Sequence, residues 1–194
     1  MTAGRLLFLS AAILLLAGCA VKREVLVPHS DTAPSGVDFS GTWLIRGSKQ
    51  ENQQRINHLI QEMDGVQKSG AGIVRVPRKD AKAGFVHVFL ETGRLLKISQ
   101  TDYAFFVSVD RSVVEEFRFG EARRVNVGQV VADRVSGWVN DVYVVETLDK
   151  NNVKLTERFW LSERQQVLNR EITIRNPEGV NATALQQFDR QDGR

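Results

Sequence analysis

Apolar and polar residues alternate along most of the chain after Gly72, with the period of two that half-buried β-strands require. Short segments rich in Gly, Asp, Asn or Pro separate these stretches, and such connections favour antiparallel neighbours. About ten strands in one domain predict a sheet that closes on itself, because closure removes exposed strand edges. The predicted strands lie within Asp38–Ile45, Ile73–Val76, Phe85–Glu91, Arg94–Gln100, Tyr103–Val109, Val113–Phe119, Val125–Ala132, Val135–Val139, Val142–Leu148, Val153–Leu161, Val167–Arg175 and Thr183–Asp189.

One stretch has the period of an amphipathic α-helix instead. Ser48 is suited to the N-cap position, and Glu51 three residues later completes a capping box. Gly65 is placed to end the helix in a left-handed conformation. The sequence therefore predicts one helix after the first strand, which either covers one end of the sheet or packs on its outer face. The apolar stripe of this helix consists of Ile56, Leu59, Ile60 and Met63.

The composition is that of an ordinary globular protein, since 42% of the 194 residues are hydrophobic and 25% are charged. The formal net charge of +3 arises from 26 basic and 23 acidic residues, which are interspersed along the chain. A basic patch of the kind that binds nucleic acid is therefore not predicted, and we expect no nucleic-acid partner.

The first residues have the pattern of an export signal. Arg5 supplies a positive charge, and the apolar run from Leu6 to Leu16 is shorter than the roughly 20 residues that span a bilayer. Small residues then lead to Cys19, the single cysteine of the chain, so no internal disulfide is possible. The sequence Leu16-Ala17-Gly18-Cys19 resembles the lipobox of bacterial lipoproteins.

This resemblance implies cleavage before Cys19 and acylation of that residue with a diacylglyceryl group and a further fatty acid such as palmitate. Stable anchoring needs more than one acyl chain, and such a cysteine meets that condition. The alternatives are an ordinary signal peptide with an incidental cysteine and an uncleaved anchor. In lipoproteins an Asp after the cysteine favours the inner membrane, so Ala20 implies an outer-membrane protein, lipid-anchored at the periplasmic face.

Three regions follow from this pattern. Residues 1–18 form the lipoprotein signal peptide, residues 19–36 the lipidated cysteine with a flexible tether, and residues 37–190 one β-barrel domain. Pro and Gly residues give the tether its linker composition, and about 18 extended residues would reach about 60 Å. The alternative is that the apolar triplet Val25–Val27 packs on the domain.

Gly41-x-Trp43 opens the first strand of this domain, and the motif resembles that of calycins, the superfamily of lipocalins and fatty-acid-binding proteins. The resemblance implies a mainly β fold, an antiparallel meander closing into a calycin-like β-barrel of about ten strands. It also implies that Trp43 closes one end and that the helix after the first strand covers the mouth, as in fatty-acid-binding proteins. The alternative is a core Trp in a β-sandwich. The Arg-x-Tyr pair that binds a carboxylate in those proteins is replaced here by Gln186 and Phe188.

Three neighbouring predicted strands each carry one ionisable residue on a mostly apolar face: Glu146, Glu157 and Arg170. Burying a lone charge is costly, so these side chains are expected to pair with one another or with a ligand. They are the candidate ligand-binding residues of an apolar pocket. The alternatives are a cross-strand ion pair without a ligand and a shifted register that places the charges outside.

No residue set in the sequence indicates an enzyme, a cofactor or a metal site. His29, His58 and His87 lie too far apart for a metal-binding spacing, and no serine lies in a nucleophile-elbow motif. Besides the membrane bound through Cys19, the first hypothesis is a hydrophobic small molecule bound in the barrel. The second is a structural or assembly lipoprotein with an envelope protein as its partner and no cavity. The third is a hydrolase that uses barrel carboxylates.

Overall fold

The computed structural model describes residues 23–63, 67–69, 72–74 and 85–191. The signal peptide, Cys19, Gly65 and the end of the strand predicted near residue 75 lie outside these residues. Helix α1, Lys49–Met63, follows the first strand, and a 3-10 helix, Phe85–Phe89, precedes the fourth. The strands are β1 Gly41–Ile45, β2 Gln67–Ser69, β3 Gly72–Val74, β4 Leu95–Gln100, β5 Ala104–Val109, β6 Val113–Arg118, β7 Ala122–Val127, β8 Val130–Val139, β9 Val142–Asp149, β10 Lys154–Ser162, β11 Val167–Arg175 and β12 Asn181–Gln191.

Ten of these strands form one antiparallel sheet in the order β6-β5-β4-β1-β12-β11-β10-β9-β8-β7. β1 lies in the middle of the sheet, where Trp43 pairs with Leu96 of β4 and with Arg190 of β12. β2 and β3 form a separate hairpin. The mainly β, antiparallel fold of about ten strands with one helix after the first strand is therefore confirmed.

The sheet curls until its two edge strands, β6 and β7, approach each other. Between them, Nη2 of Arg123 on β7 donates to the carbonyl oxygen of Glu116 on β6 at 2.7 Å. The Ser136 hydroxyl donates to the carbonyl oxygen of Arg118 at 2.7 Å. Further along the seam, Arg134 of β8 forms an ion pair with Glu115 of β6. Hydrogen bonds and this ion pair therefore join the two edges of the curled sheet.

The antiparallel order gives the barrel two distinct ends. The lid end carries helix α1 and the turns at residues 128–129, 150–152 and 176–179. The opposite end carries the turns at residues 101–103, 119–121, 140–141 and 163–166. The chain enters β1 from the opposite end, and this direction fixes α1 at the lid end.

Large aromatic side chains fill the interior toward the opposite end. The ring centroids of Phe105 and Tyr143 are 4.3 Å apart, and those of Phe39 and Phe105 are 5.1 Å apart in an edge-to-face arrangement. Pairs with this geometry add stabilisation beyond the area that they bury. We call this set the aromatic cluster, and its rings belong to Phe39, Trp43, Phe105, Phe117, Phe119, Trp138, Tyr143, Phe159 and Phe188.

Helix α1 covers the lid end of the sheet, which is one of the two placements predicted from the sequence. The predicted capping box is present: the amide of Glu51 donates to the Ser48 hydroxyl, and the amide of Ser48 to the Glu51 carboxylate, each at 3.1 Å. Within the described residues no helix combines the length and the hydrophobicity needed to cross a bilayer. The apolar residues under α1 form the lid cluster, which includes Ile56, Leu59, Val86, Phe89, Leu155, Ile172, Ile174 and Ala184.

Two predicted strand assignments are wrong. The alternation of Phe85, His87 and Phe89 predicted a strand, but Val86 and Phe89, three residues apart, are the buried side chains, and the segment is helical. The second error concerns the strand predicted at residues 125–132, which runs across the turn at residues 128–129, and the break predicted before residue 135, which lies inside β8. Gly128 adopts a φ of +58°, and this conformation ends β7 and lets β8 begin at Val130.

The predicted flexible tether is also wrong for the residues that the structure describes. Residues 23–36, here called the N-terminal segment, run along the outer face of the sheet from the lid end to the opposite end. Glu24 forms ion pairs with Lys154, at 2.8 Å, and with Arg175. Ser30 forms an antiparallel bridge with Trp138 on β8. These ion pairs and the backbone bridge hold the segment on the sheet although its composition is that of a linker, so the segment belongs to the domain.

Candidate functional site

A layer of polar side chains crosses the barrel interior between the aromatic cluster and the lid cluster. On β10, Glu157 lies between Phe159 of the aromatic cluster and Leu155 of the lid cluster. On β11, Arg170 takes the same position between the two clusters. We call this layer the polar belt, and its members are Glu115, Arg134, Thr147, Glu157, Arg170 and Gln186.

Arg170 and Glu157 form the best-buried ion pair of the belt, with 5% and 3% of their surfaces exposed. Arg170 lies opposite Phe159 in the β10–β11 ladder, so it reaches Glu157 along the diagonal of the register. Its Nε donates to Oε2 of Glu157 at 2.8 Å, and its Nη2 contacts the same oxygen. Its Nη1 donates to the carbonyl oxygen of Glu91 at 2.8 Å and to Gln186 at 3.4 Å. Every nitrogen of this guanidinium therefore has an acceptor within the protein.

Arg134 and Glu115 form the second pair of the belt, across the seam of the barrel. Arg134 is 3% exposed, and its Nε donates to the Thr147 hydroxyl at 3.0 Å. Its guanidinium carbon lies 5.7 Å from the ring centroid of Phe89 and 5.6 Å from that of Phe117, within the range of cation–π attraction. The pair thus connects β8, β6 and the 3-10 helix.

Burial raises the pKa of the Glu115 carboxyl above its ordinary value of 4.5, although Arg134 opposes the rise and Glu157 adds to it. Glu115 therefore takes up a proton at a higher pH than an exposed glutamate does. Two guanidinium groups and two carboxylates make the belt electrically neutral when all four are charged. A site with this balance has no excess charge for a ligand to neutralise.

The belt borders a small void. Its cavity volume is about 20 Å³, and its wall includes Glu91, Glu115, Glu157 and Arg170 with the rings of Phe89, Phe117 and Phe159. A second void among the aromatic rings has a cavity volume of about 10 Å³. A volume of this size holds on the order of one water molecule.

The structure brings Glu157 and Arg170 together and separates Glu146 from them. Glu146 lies opposite Thr156 on the outer face, 2.9 Å from Nζ of Lys154 and 3.5 Å from Nε2 of His29. The prediction that Glu146 shares the interior patch is therefore wrong. Its apolar neighbours Val144 and Leu148 misled the prediction, because they are buried on the outer face that the N-terminal segment crosses.

The sequence reasoning missed Arg134, Glu115 and Thr147. The signal for Arg134 was present, because Ala132, Arg134, Ser136 and Trp138 alternate along one face of β8 in the same manner as the residues of β10. The strand break placed between residues 132 and 135 hid this pattern. Recognising Gly128 as the turn residue would have revealed it.

Three residues singled out by the resemblance to calycins are buried in the barrel. Trp43 is fully buried, its Nε1 donates to the carbonyl oxygen of Phe39 at 2.9 Å, and the guanidinium of Arg190 lies 4.2 Å from its ring centroid. Gln186 and Phe188 both point inward from β12, and Gln186 accepts a hydrogen bond from Arg170. The amide at position 186 thus completes the belt.

The belt offers hydrogen-bonding and ion-pairing groups rather than a nucleophile or a metal site. Within the described ranges, no three His, Cys, Asp or Glu side chains come close enough together to hold a metal ion. The arrangement can orient a polar group, bind a water molecule, or fix the register of the six strands that carry the belt.

No protein-family model matches this chain. No curated protein matches it either. Solved structures do match. Lipid binding protein 8 from Caenorhabditis elegans, in its apo form, is 12% identical, with a TM-score of 0.46 over 79% of this chain and 95% of that one. A fatty acid transporter named REP1-NXSQ is 11% identical, with a TM-score of 0.48 over 81% of this chain and 98% of its own.

A third similar structure is the zebrafish ileal bile acid-binding protein complexed with cholic acid. It is 12% identical, with a TM-score of 0.45 over 79% of this chain and 98% of that chain. The names of these proteins describe binding of a lipid, transport of a fatty acid and binding of a bile acid. TM-scores and identities this low do not identify a ligand for this chain.

Proposed function

We propose that this protein is an outer-membrane lipoprotein, anchored at the periplasmic face through a lipidated Cys19, whose barrel is a packed structural module. In this proposal the barrel binds an envelope protein through its outer surface. The observation that carries the proposal is the filled interior: the aromatic cluster occupies one half of the barrel, and the belt charges pair with each other.

The volumes support this function over ligand storage. Pockets that bind small molecules usually measure about 300–1,000 Å³, whereas the two interior voids measure about 20 and 10 Å³. A ligand of fatty-acid size would have to displace several aromatic rings or lift helix α1. It would also have to break hydrogen bonds that Arg170 already makes with Glu157, Glu91 and Gln186.

One observation favours a second candidate function, binding of a small apolar or amphipathic molecule. The void at the belt is lined by Arg170, Glu115 and Glu157 and by Phe89 of the 3-10 helix, which is a suitable position for the polar end of such a ligand. In this case the 3-10 helix and α1 must move to admit the molecule.

Organic extraction followed by mass spectrometry separates the two functions. The chain from Cys19 onward, produced without its signal peptide so that it carries no lipid, is purified without detergent and extracted, and a hydrophobic dye is titrated into an unextracted sample. The packed module predicts no stoichiometric lipid and no saturable dye binding. One copurified lipid per chain, together with dye binding that Arg170→Met weakens, would overturn it. Arg158→Met is the matched control, because Arg158 is an exposed arginine on β10.

Site-specific photo-crosslinking in cells tests the partner. A crosslinker at Val114 or Tyr103, whose side chains are 70% and 59% exposed, samples two sides of the outer surface. The proposal predicts one reproducible envelope-protein adduct from at least one exposed site and none from the buried position Leu168. Adducts from no exposed site would contradict the surface role.

A further inference from the structure

The path of the N-terminal segment determines where the lipid anchor leaves the barrel. Glu24 is held at the lid end by Lys154 and Arg175, and its amide donates to Oδ1 of Asn152 at 3.3 Å. One residue earlier, Nη2 of Arg23 lies 2.8 Å from Oδ2 of Asp133 on β8. The chain therefore reaches Arg23 beside the turns of the lid end.

Two glycines show that the sheet is shaped to receive this segment. A Cβ on Gly137 would lie 2.6 Å from the carbonyl oxygen of Ser30, and a Cβ on Gly120 would lie 2.7 Å from the Cβ of Asp31. Both glycines have positive φ values, +152° and +67°, which other residues rarely adopt. Glycine at these two positions thus leaves the space that the N-terminal segment needs to contact the sheet.

The distance from the barrel to an anchor at Cys19 is consequently short. Cys19 and Arg23 are four residues apart, a separation that spans at most about 14 Å when fully extended. A free linker of the whole region would span about 60 Å. A barrel held this closely to its anchor lies next to the headgroup layer of the membrane that holds the anchor.

The surface around Arg23 has the chemistry of a membrane interface. Val127, Val131 and Val180, next to the lid-end turns, are 45%, 46% and 58% exposed. A cleft of about 580 Å³ opens beside Arg23, with Arg124, Val130, Val131 and Lys150 in its wall. Of the two acidic residues in its wall, Asp133 is paired with Arg23 and Arg124, and Asp149 is buried. Exposed apolar side chains among basic ones match the boundary between headgroups and acyl chains.

We propose that the lid end rests on the bilayer, with Val127, Val131 and Lys150 at the headgroups, and that the bound N-terminal segment sets this orientation. The inference rests on the proposed anchoring at Cys19. It places α1 near the lipid and leaves the opposite end free for the envelope protein. Contact with the bilayer is therefore made by one particular end of the barrel.

Paramagnetic relaxation measured by NMR tests the orientation directly. The chain from Cys19 onward is coupled through its single thiol to a maleimide lipid in nanodiscs that also carry a gadolinium-chelating lipid. Amides of the turns at 128–129, 150–152 and 176–179 are expected to relax several-fold faster than those at 101–103, 140–141 and 163–166. Equal relaxation at both ends, or faster relaxation at the opposite end, would overturn the inference.

Two variants make the test sharper. Insertion of twelve Gly and Ser residues between Lys22 and Arg23 lengthens the link and keeps the bound segment, so the contrast between the ends is expected to fall. The double variant Val131→Ser with Lys150→Glu leaves the link unchanged and is expected to lower the difference in relaxation between the two ends. An unchanged difference in this variant would contradict the assigned contact with the bilayer. Because the lipid is coupled chemically, this test does not depend on lipidation of Cys19 in the cell. The orientation can therefore be wrong while the proposed anchoring is right, and the reverse.

Discussion

Ser30 and Trp138 pair through two backbone hydrogen bonds, from Ser30 N to Trp138 O at 3.1 Å and from Trp138 N to Ser30 O at 2.9 Å. This bridge extends the antiparallel pairing of the sheet to residues that precede the barrel. It joins the N-terminal segment to β8, the strand that also carries Arg134 of the polar belt. The attachment of the chain and the interior of the barrel are thus connected through one strand.

Gly137→Ala is predicted to detach the N-terminal segment around Ser30, because the new Cβ would collide with the Ser30 carbonyl group. We expect faster hydrogen exchange at the amides of Ser30 and Trp138, with the rest of the sheet still protected. Gly179→Ala is the matched control, since Gly179 also has a positive φ but no atom lies within 4 Å of the position that its new Cβ would take. Unchanged exchange at Ser30 would contradict the assigned contact.

Glu24→Gln is predicted to lower stability in a pH-dependent manner. Partial burial opposes ionisation of Glu24, but its hydrogen bonds and ion pairs with Lys154 and Arg175 lower its pKa below the ordinary value of 4.5. A lowered carboxyl pKa contributes stability above the pKa of the unfolded chain and loses it as the pH falls through the folded value. The variant is expected to lose about 1 kcal/mol or less near pH 7 and nothing in strong acid.

Urea unfolding of both proteins between pH 2 and pH 7 measures this difference. The exposed turn residue Glu178, changed to Gln, serves as the control for loss of one negative charge. A stability difference that stays constant over this pH range would show that the Glu24 ion pairs do not form.

Arg170→Met is predicted to destabilise the barrel by about 3–5 kcal/mol, because it leaves Glu157 buried without its partner. The double variant Arg170→Met with Glu157→Leu removes both charges and is expected to regain most of that loss. Equilibrium urea unfolding gives both values, and Arg158→Met controls for the loss of an exposed arginine. A double variant as unstable as the single one would show that the arginine acts mainly through Glu91 and Gln186.

The elements with regular patterns were predictable from the sequence. The strands from β9 to β11 alternate without interruption, and helix α1 carries both halves of its capping box, so local signals and tertiary structure agree there. Glu157 and Arg170 were predictable for the same reason, because the inward face of each of their strands is otherwise apolar.

The errors have a common physical cause, which is that an apolar residue does not reveal which surface buries it. Val144 and Leu148 are buried under the N-terminal segment on the outer face, so they indicated the wrong orientation for Glu146. Val86 and Phe89 are buried at helical spacing within a stretch that alternates by letter. The path of residues 23–36 depends on contacts with strands more than 100 residues away, which no local pattern encodes.

The attachment of lipid to Cys19 is the central claim, since both the location and the orientation of the barrel depend on it. Cells that produce the full chain are labelled with a clickable palmitate analogue, and the protein is isolated and analysed by mass spectrometry. The account predicts label on the amino-terminal peptide that begins at Cys19 and no label on the Cys19→Ser variant. An unlabelled wild-type protein, or label that persists on the variant, would contradict it.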